Sequence, residues 1–306
     1  MTATNSFHQP VLADEAVDLL VTDLDGAYID ATAGGGSHSL RIISKLTSSG
    51  RLLAIDRDEE AVAHSRQKLQ EYSTQAQVLR GDFGHLRELA EESGMTPVNG
   101  VLFDLGVSSH QLDSAIRGFS YRENGPLDLR LDRATDLSAG DVINDYSPKK
   151  LIQLLFEYGE ERNAKKIVSA IVDARTKASL TTTAELAGII KTVTNPRYLN
   201  KTLSRVFQAI RIEVNDEMVQ LQSGLADAVD LLQSGGRLVV IAYHSLEDRI
   251  VKWFMREQAK GPSTPLPEPF EPRGRIITKK PLIPTREEIS ENPRARSAKM
   301  RVMERL

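Results

Sequence analysis

Three features of the 306-residue sequence predict an α/β protein with an open parallel sheet, interrupted once by a helical insertion. Four acids, Asp30, Asp56, Asp82 and Asp104, stand 22 to 26 residues apart, each closing or directly following an apolar run. That interval holds one strand and one helix, so every acid reaches the same edge of a parallel sheet. Runs such as LLAI (52–55) and VLF (101–103) are apolar throughout rather than alternating, the pattern of strands covered on both faces. The rhythm stops after residue 106 and resumes at GGRLVVIAYHS (235–245).

Apolar spacing predicts a first helix over 13–21 and a strand at 27–31 (AYIDA). A glycine loop follows, and a helix starts near Ser37. RLLAID (51–56) is the second strand, 58–70 a helix, 76–80 the third strand, 84–93 a helix and VNGVLFDLG (98–106) the fourth strand. Residues 113–147 read as an irregular polar stretch with several turn signals. Ser147 and Pro148 place a cap and a first-turn proline before a helix at 149–158. Further helices are predicted at 160–178, at 183–194 and, as one long element, at about 202–233. The glycine pair at 235–236 is expected to end that helix before strand five, and Ser245 with Asp248 has the pattern of a capping box for a helix at 246–259. Residues 261–293 hold eight of the thirteen prolines and read as extended loop, while SAKMRVMER (297–305) alternates as a last strand. The simplest organisation is one α/β domain, 1–112 with 206–306, carrying a helical insertion at 113–205.

Bulk composition narrows the function classes. The chain has 40% apolar and 26% charged residues, ordinary for a globular protein. No apolar run approaches the ~18 residues of a membrane span, and the N-terminus lacks a basic-then-apolar signal. A cytoplasmic protein without a membrane partner is expected. The absence of cysteine removes disulfides, thiolate metal sites, iron–sulfur chemistry and the thiol nucleophile used in C5-methylation of pyrimidines. The six histidines show no metal-ligand spacing, so no protein-held metal is expected. The net charge of −3 conceals segregation: 162–211 carries ten Lys/Arg against two acids, and 273–306 ten against four. Segregated basic stretches suit a phosphate backbone, although a solvated helix face explains any one of them.

Ligands of open α/β sheets bind outside the carboxyl ends of the strands, so the four acids are expected to line one crevice. A carboxylate-rich crevice suits a hydroxyl-bearing cation better than a pyrophosphate, and S-adenosylmethionine fits with its sulfonium, ammonium and ribose. In DATAGGGSHS (30–39) three glycines allow close backbone approach. The G-x-G-x-x-G fingerprint fails because Ser39 stands at the third glycine. Asp56 is placed to accept both ribose hydroxyls, the alternative being a helix cap, a role open equally to Asp58. Phe83 either covers the adenine or packs in the core, and Asp82 or a backbone amide reads the base edge. Asp104 stands where strand four meets the reaction centre, beside the sulfonium or the substrate amine. RGFSYR (117–122) interleaves aromatics with arginines, suited to stacking an extruded base, against the alternative of an ordinary surface loop. His244 is either a base or a hydrogen-bonded structural residue.

These strings resemble those of the bacterial 16S ribosomal RNA cytidine N4-methyltransferases, the ribosomal RNA small subunit methyltransferase H family. The resemblance runs through nearly the whole chain: HQPVL (8–12), DATAGGGSHS, AIDRD (54–58), DLGVSS (104–109), RGFSYRENGPLDLRLD (117–132), YGEER (158–162), FQAIRIEVN (207–215), GGRLVVIAYHSLEDRIVK (235–252) and ENPRARSAKMR (291–301). It implies a Rossmann-like class I methyltransferase sheet with an inserted helical substrate-recognition domain. It also implies methyl transfer from S-adenosylmethionine to the exocyclic N4 of a cytidine in the decoding region of 16S ribosomal RNA, within the small subunit. Oligomeric state is left open, a homodimer included. Carried onto this chain, the cofactor contacts are Gly36, Ser37, His38, Asp56, Phe83, Asp104 and Gln111, with Asp104 also the candidate catalytic residue. The family usually has glycine where Ser37 stands; if that position needs φ > 0, serine costs about 1 kcal/mol. The rival readings are a nicotinamide oxidoreductase, a non-catalytic ribosome-assembly factor and a methyltransferase acting on adenine N6 or a ribose 2′-hydroxyl.

Overall fold

The computed structural model of the protein describes residues 10–262 and 270–306, without the side chains of Ser109 and His110. His8 and Gln9 of the HQPVL string, and 263–269 of the proline-rich stretch, fall outside them. Along the chain run α1 (Ala13–Leu20), β1 (Ala27–Asp30), α2 (Ser37–Lys45), β2 (Arg51–Asp56), α3 (Glu59–Lys68), β3 (Ala76–Arg80), α4 (Leu86–Glu92) and β4 (Val98–Asp104). Next come α5 (Ser109–Asp113), α6 (Ala139–Asp145), α7 (Pro148–Glu157), α8 (Ala164–Arg175), α9 (Thr183–Val193), α10 (Leu199–Val214) and α11 (Glu217–Leu231). The chain ends with β5 (Leu232–Ala242), α12 (Ser245–Lys260), β6 (Gly274–Ile276), α13 (Arg286–Glu291) and β7 (Lys299–Arg305).

Two compact units result. One comprises the described residues up to Gly106 together with those from Met218 onward, and the other is Val107–Glu217. In the first unit, seven strands form one sheet in the order β3-β2-β1-β4-β5-β7-β6. All neighbours pair in parallel except β7, which runs antiparallel to both β5 and β6. Strand order reverses between β1 and β4, and such a switch point opens the ligand crevice of a doubly wound sheet. Asp30 and Asp104 end those two adjacent strands. The central strands are apolar on both faces because both faces are covered: Val98–Phe103 is buried throughout. Leu86, Leu221, Leu225 and Val251 pack on one side, and Val17, Leu20, Ile42 and Ile43 on the other.

The second unit is helical. Its core joins Val142, Leu151, Leu154, Ile167, Ile171, Leu186, Val206 and Ile210. Ser147 caps α7 through the Lys150 N–H, with Pro148 at the first position. Thr182 and Glu185 form a capping box on α9.

Several local expectations need correction. The helix expected at 202–233 is two, broken after Val214 where Asp216 adopts φ +50°. The glycine pair does not end a helix: Gly235 (φ +82°) and Gly236 lie inside β5, where pairing with β4 shifts register between Val98 and Gly100. The stretch 113–147 contains α6, capped reciprocally by Ser138 and Asp141. The proline-rich region includes β6 and α13. By its contacts the helical unit spans Val107–Glu217, with α10 packed into its core. No helix among the described residues is long and apolar enough to cross a membrane.

Candidate active site

The loop between β1 and α2 carries its positive φ on Gly34 (+51°) and Gly36 (+73°). Ser37 is the first residue of α2 and not a positive-φ position, so serine there carries none of the strain considered above. A Cβ on Gly36 would approach Ser65 Oγ to 3.0 Å and Ser65 Cα to 3.2 Å, which requires the bare backbone. The loop is tied to α3 by Ser65 Oγ donating to Gly34 O (2.9 Å) and Lys68 Nζ donating to Ser37 Oγ (2.9 Å).

Asp56 accepts the Gly34 N–H on Oδ2 and the Asp58 N–H on Oδ1, both at 2.8 Å. A carboxylate offers about four acceptor directions, so each oxygen retains one. Asp58, not Asp56, caps α3, accepting the Glu60 N–H at 3.1 Å. Burial pushes the Asp56 carboxyl up to about 6, against the lowering effect of its two N–H donors. The residue nevertheless keeps part of its surface open.

At the switch point Asp104 gathers donors. Tyr243 O–H donates to Oδ1 at 2.8 Å, and the Asp104 N–H donates to Thr32 Oγ1 at 2.6 Å. His38 Nε2 lies 3.4 Å from Oδ2, a close charge contact without hydrogen-bond alignment. His38 is 5% exposed, and its Nδ1 has no partner among the described residues. Burial alone would lower the His38 pKa; the hydrogen-bonding reach and charge of Asp104, then the charge of Asp30, reverse this and raise it. Burial raises the Tyr243 pKa well above its ordinary value and the Asp104 charge adds to it, so Tyr243 stays a protonated donor.

Not all four acids line a crevice. Asp30 is fully buried, takes a 2.5 Å hydrogen bond from Ser39 Oγ, and has its pKa raised by burial. Asp82 is engaged by Arg57 (3.0 Å) and by the Gly84 N–H (2.9 Å). Phe83 meets Phe103 edge to face at 5.6 Å and is partly buried against the core. His244 takes the structural alternative: its Nδ1 accepts the Glu247 N–H, while Glu247 accepts the Tyr243 and His244 N–H groups. The cap of α12 is therefore His244 with Glu247, one residue earlier than the Ser245–Asp248 pattern.

The second unit holds Gln111, buried, with Oε1 accepting the Ser108 N–H at 2.8 Å. It also holds RGFSYR, where Phe119 is unavailable for stacking and Tyr121 stays partly exposed. Phe119 is buried in the helical core, Tyr121 packs edge-on to Phe207 at 5.5 Å, and the buried Arg117 guanidinium donates to the carbonyls of Arg130 and Leu131. A cavity of about 430 Å³ lined by Asp128, Arg130, Asp141 and Asn144 belongs to this unit too. Its polar groups bond one another, as in the Arg130–Asp128 pair at 2.7 Å.

The sequence points to neither Tyr243 nor Thr32, and to Ser39 only as a departure from the glycine fingerprint. An aromatic after an apolar strand reads as core, and small hydroxyls beside a glycine loop read as caps. Only their proximity to Asp104 and Asp30 gives them away.

A glycine cradle, a half-open carboxylate one strand away and an acid at the switch point of this sheet define an S-adenosylmethionine-dependent class I methyltransferase. Residues 5–306 match the MraW methylase family model, and the chain belongs to that family. Ribosomal RNA small subunit methyltransferase H of Chloroherpeton thalassium is 46% identical over 325 residues, covering 98% of this chain and 99% of that protein. Among solved structures, an S-adenosylmethionine-dependent O-methyltransferase of Thermotoga maritima has 9% identity over 98% of this chain and 67% of that one, with a TM-score of 0.44. TrmN from Thermus thermophilus has 12% identity over 96% of this chain and 48% of that one, also with a TM-score of 0.44. At those scores the likenesses add no weight; the fold stands on its own strand order.

Proposed function

We propose that the protein transfers a methyl group from S-adenosylmethionine to the exocyclic N4 amine of a cytidine in the decoding region of 16S ribosomal RNA. The observation that carries this reading is the near-full-length identity to a small-subunit ribosomal RNA methyltransferase, joined to a carboxylate-rich switch point in this chain. When bound, S-adenosylmethionine supplies an electrophilic methyl group on a sulfonium.

The residues of the first unit suit that molecule. Asp56 keeps one acceptor direction on each oxygen for the two ribose hydroxyls. Gly34 and Gly36 let the backbone approach the amino-acid portion, and the unpartnered His38 Nδ1 is a buried polar atom awaiting a partner. Phe83, partly buried after β3, is the aromatic that would cover the base.

Cytosine N4 is a weak nucleophile because its lone pair is delocalised into the ring. Alignment of reacting atoms at about 3 Å supplies roughly 7–11 kcal/mol of the barrier. Asp104, held by Tyr243 and Thr32, presents a fixed negative charge to the nitrogen as it becomes positive. The methylated nitrogen is then strongly acidic and releases its extra proton to water, so no strong base is needed. The pKa of Tyr243 is too high, and His244 too involved in capping, for either to serve as one.

Mass mapping of ribosomal RNA from cells with and without the protein tests the target. Loss of one N4-methylated cytidine supports it; loss of a methylated adenine or of a ribose 2′-O-methyl group instead contradicts it.

A further inference from the structure

Of the expected base-stacking aromatics, Phe119 is buried in the helical core and Tyr121 packs edge-on to Phe207. The first unit offers a different surface. The apolar side of α12 is consumed by the sheet: Leu246, Val251 and Met255 are buried, with Ile250 and Phe254 packed beside them. Its opposite side carries Arg249, Trp253, Arg256 and Lys260, spaced by three or four residues and hence on one helical face, with Lys252 beside Trp253; all five are exposed.

Lys252, Arg256 and Lys260 outnumber the exposed acids of the helix. α12 has three acids against four cations. Glu247 is buried, accepting backbone N–H groups at the cap. Asp248 is taken by Lys299 (3.0 Å) and Arg301 (2.7 Å) from β7, and against the raising effect of burial these two cations lower its pKa. Only Glu257 remains on the exposed side. Trp253, the one tryptophan of the chain, is 41% exposed, with the Arg256 guanidinium 4.9 Å and the Lys252 ammonium 5.7 Å from its ring.

An aromatic ring flanked by cations is the composition of a single-strand nucleic-acid platform, where a base stacks and phosphates meet the charges. We propose that the Arg249–Lys260 face of α12 is a docking surface for single-stranded RNA, with Trp253 stacking a base and Lys252 and Arg256 holding adjacent phosphates. The inference rests on the ribosomal RNA reading above and names a second point of contact for that substrate.

The single tryptophan makes the test direct. Intrinsic fluorescence of the full-length protein is titrated with a mixed-sequence single-stranded oligoribonucleotide, binding being followed independently by anisotropy of the labelled RNA. The expected result is saturable quenching. Lys252, Arg256 and Lys260 give a log–log salt slope of about −2.1, so affinity falls roughly 20-fold from 50 to 200 mM salt. The double variant Lys252→Glu/Arg256→Glu should lower the slope by about 1.4, and Trp253→Ala should weaken binding roughly 5- to 100-fold. Circular dichroism and calorimetry with S-adenosylmethionine should match wild type in both.

RNA bound to saturation without quenching overturns the surface. So does a double variant with unchanged slope, or fluorescence that changes with protein concentration alone, which would make the face a contact between two copies. If wild type methylates ribosomal RNA while the variants match it in binding and transfer, the surface is refuted and the reaction stands. If wild type transfers no methyl group to ribosomal RNA, the reaction fails, and the quenching still decides the surface.

Discussion

Replacing Asp56 with Asn separates the charge of this carboxylate from its shape. In the free protein Asp56 holds the Gly34 and Asp58 N–H groups at 2.8 Å and titrates at about 6. Ribose hydroxyls donate to the ionised form, so cofactor affinity should rise with pH through that value. About a tenth of the carboxyl is ionised at pH 5 and nearly all of it at pH 7.5, which makes binding roughly tenfold weaker at the lower pH. In Asp56→Asn the dependence should vanish and affinity should drop about 10- to 100-fold, since hydrogen bonds to a charged group contribute roughly 1.5–3 kcal/mol each.

Stability should move in the opposite direction. The folded pKa of Asp56 is raised above the unfolded value of 3.8. Its contribution is therefore fully present below that value and lost as pH rises through about 6. Isothermal calorimetry with S-adenosylmethionine from pH 5 to 7.5, paired with urea unfolding of the cofactor-free protein, measures both. Wild-type affinity flat across the range, or an Asn variant that follows wild type, refutes the role given to Asp56.

Four other substitutions test the site and the scaffold. Tyr243→Phe removes the donor to Asp104 and should destabilise by about 1–3 kcal/mol in urea, with turnover falling further than cofactor affinity; unchanged turnover counts against a positioned Asp104. Gly36→Ala places a Cβ against Ser65 at positive φ and should lower both stability and cofactor affinity, by about 1–2 kcal/mol from the backbone alone. Ser37→Gly should not stabilise, because residue 37 is helical, and should cost up to about 1 kcal/mol; a gain would mean the positive φ falls on residue 37. Ile167→Ala, in the centre of the helical unit, should cost about 2–5 kcal/mol and leave S-adenosylmethionine binding near wild type by calorimetry.

The parallel sheet could be read from the sequence because each strand is punctuated. Asp30, Asp56 and Asp104 end their apolar runs at the last residue of β1, β2 and β4. The two-sided burial of LLAI and VLF announced a covered sheet. What escaped has physical causes. Periodicity runs unbroken from α10 into α11, and the break depends on one left-handed residue, Asp216, that spacing does not encode. The cap of α12 uses an imidazole nitrogen as acceptor, outside the usual serine, threonine, aspartate and asparagine set. β6 is three residues long and forms only because β7 offers an edge. Within the site, Asp56 and the glycine loop were visible as motif and spacing. The partners of Asp104 were not, since Tyr243 lies 139 residues away in sequence. RGFSYR had the right composition for stacking in the wrong place, since composition does not distinguish a buried aromatic from an exposed one.

Purified protein incubated with methyl-labelled S-adenosylmethionine and small-subunit ribosomal RNA, followed by digestion to nucleosides and mass spectrometry, decides the reaction itself. Label should appear in N4-methylcytidine at a single position and fall sharply with Asp56→Asn. Label in another nucleoside, or none in the RNA while cofactor binding is intact, would contradict it.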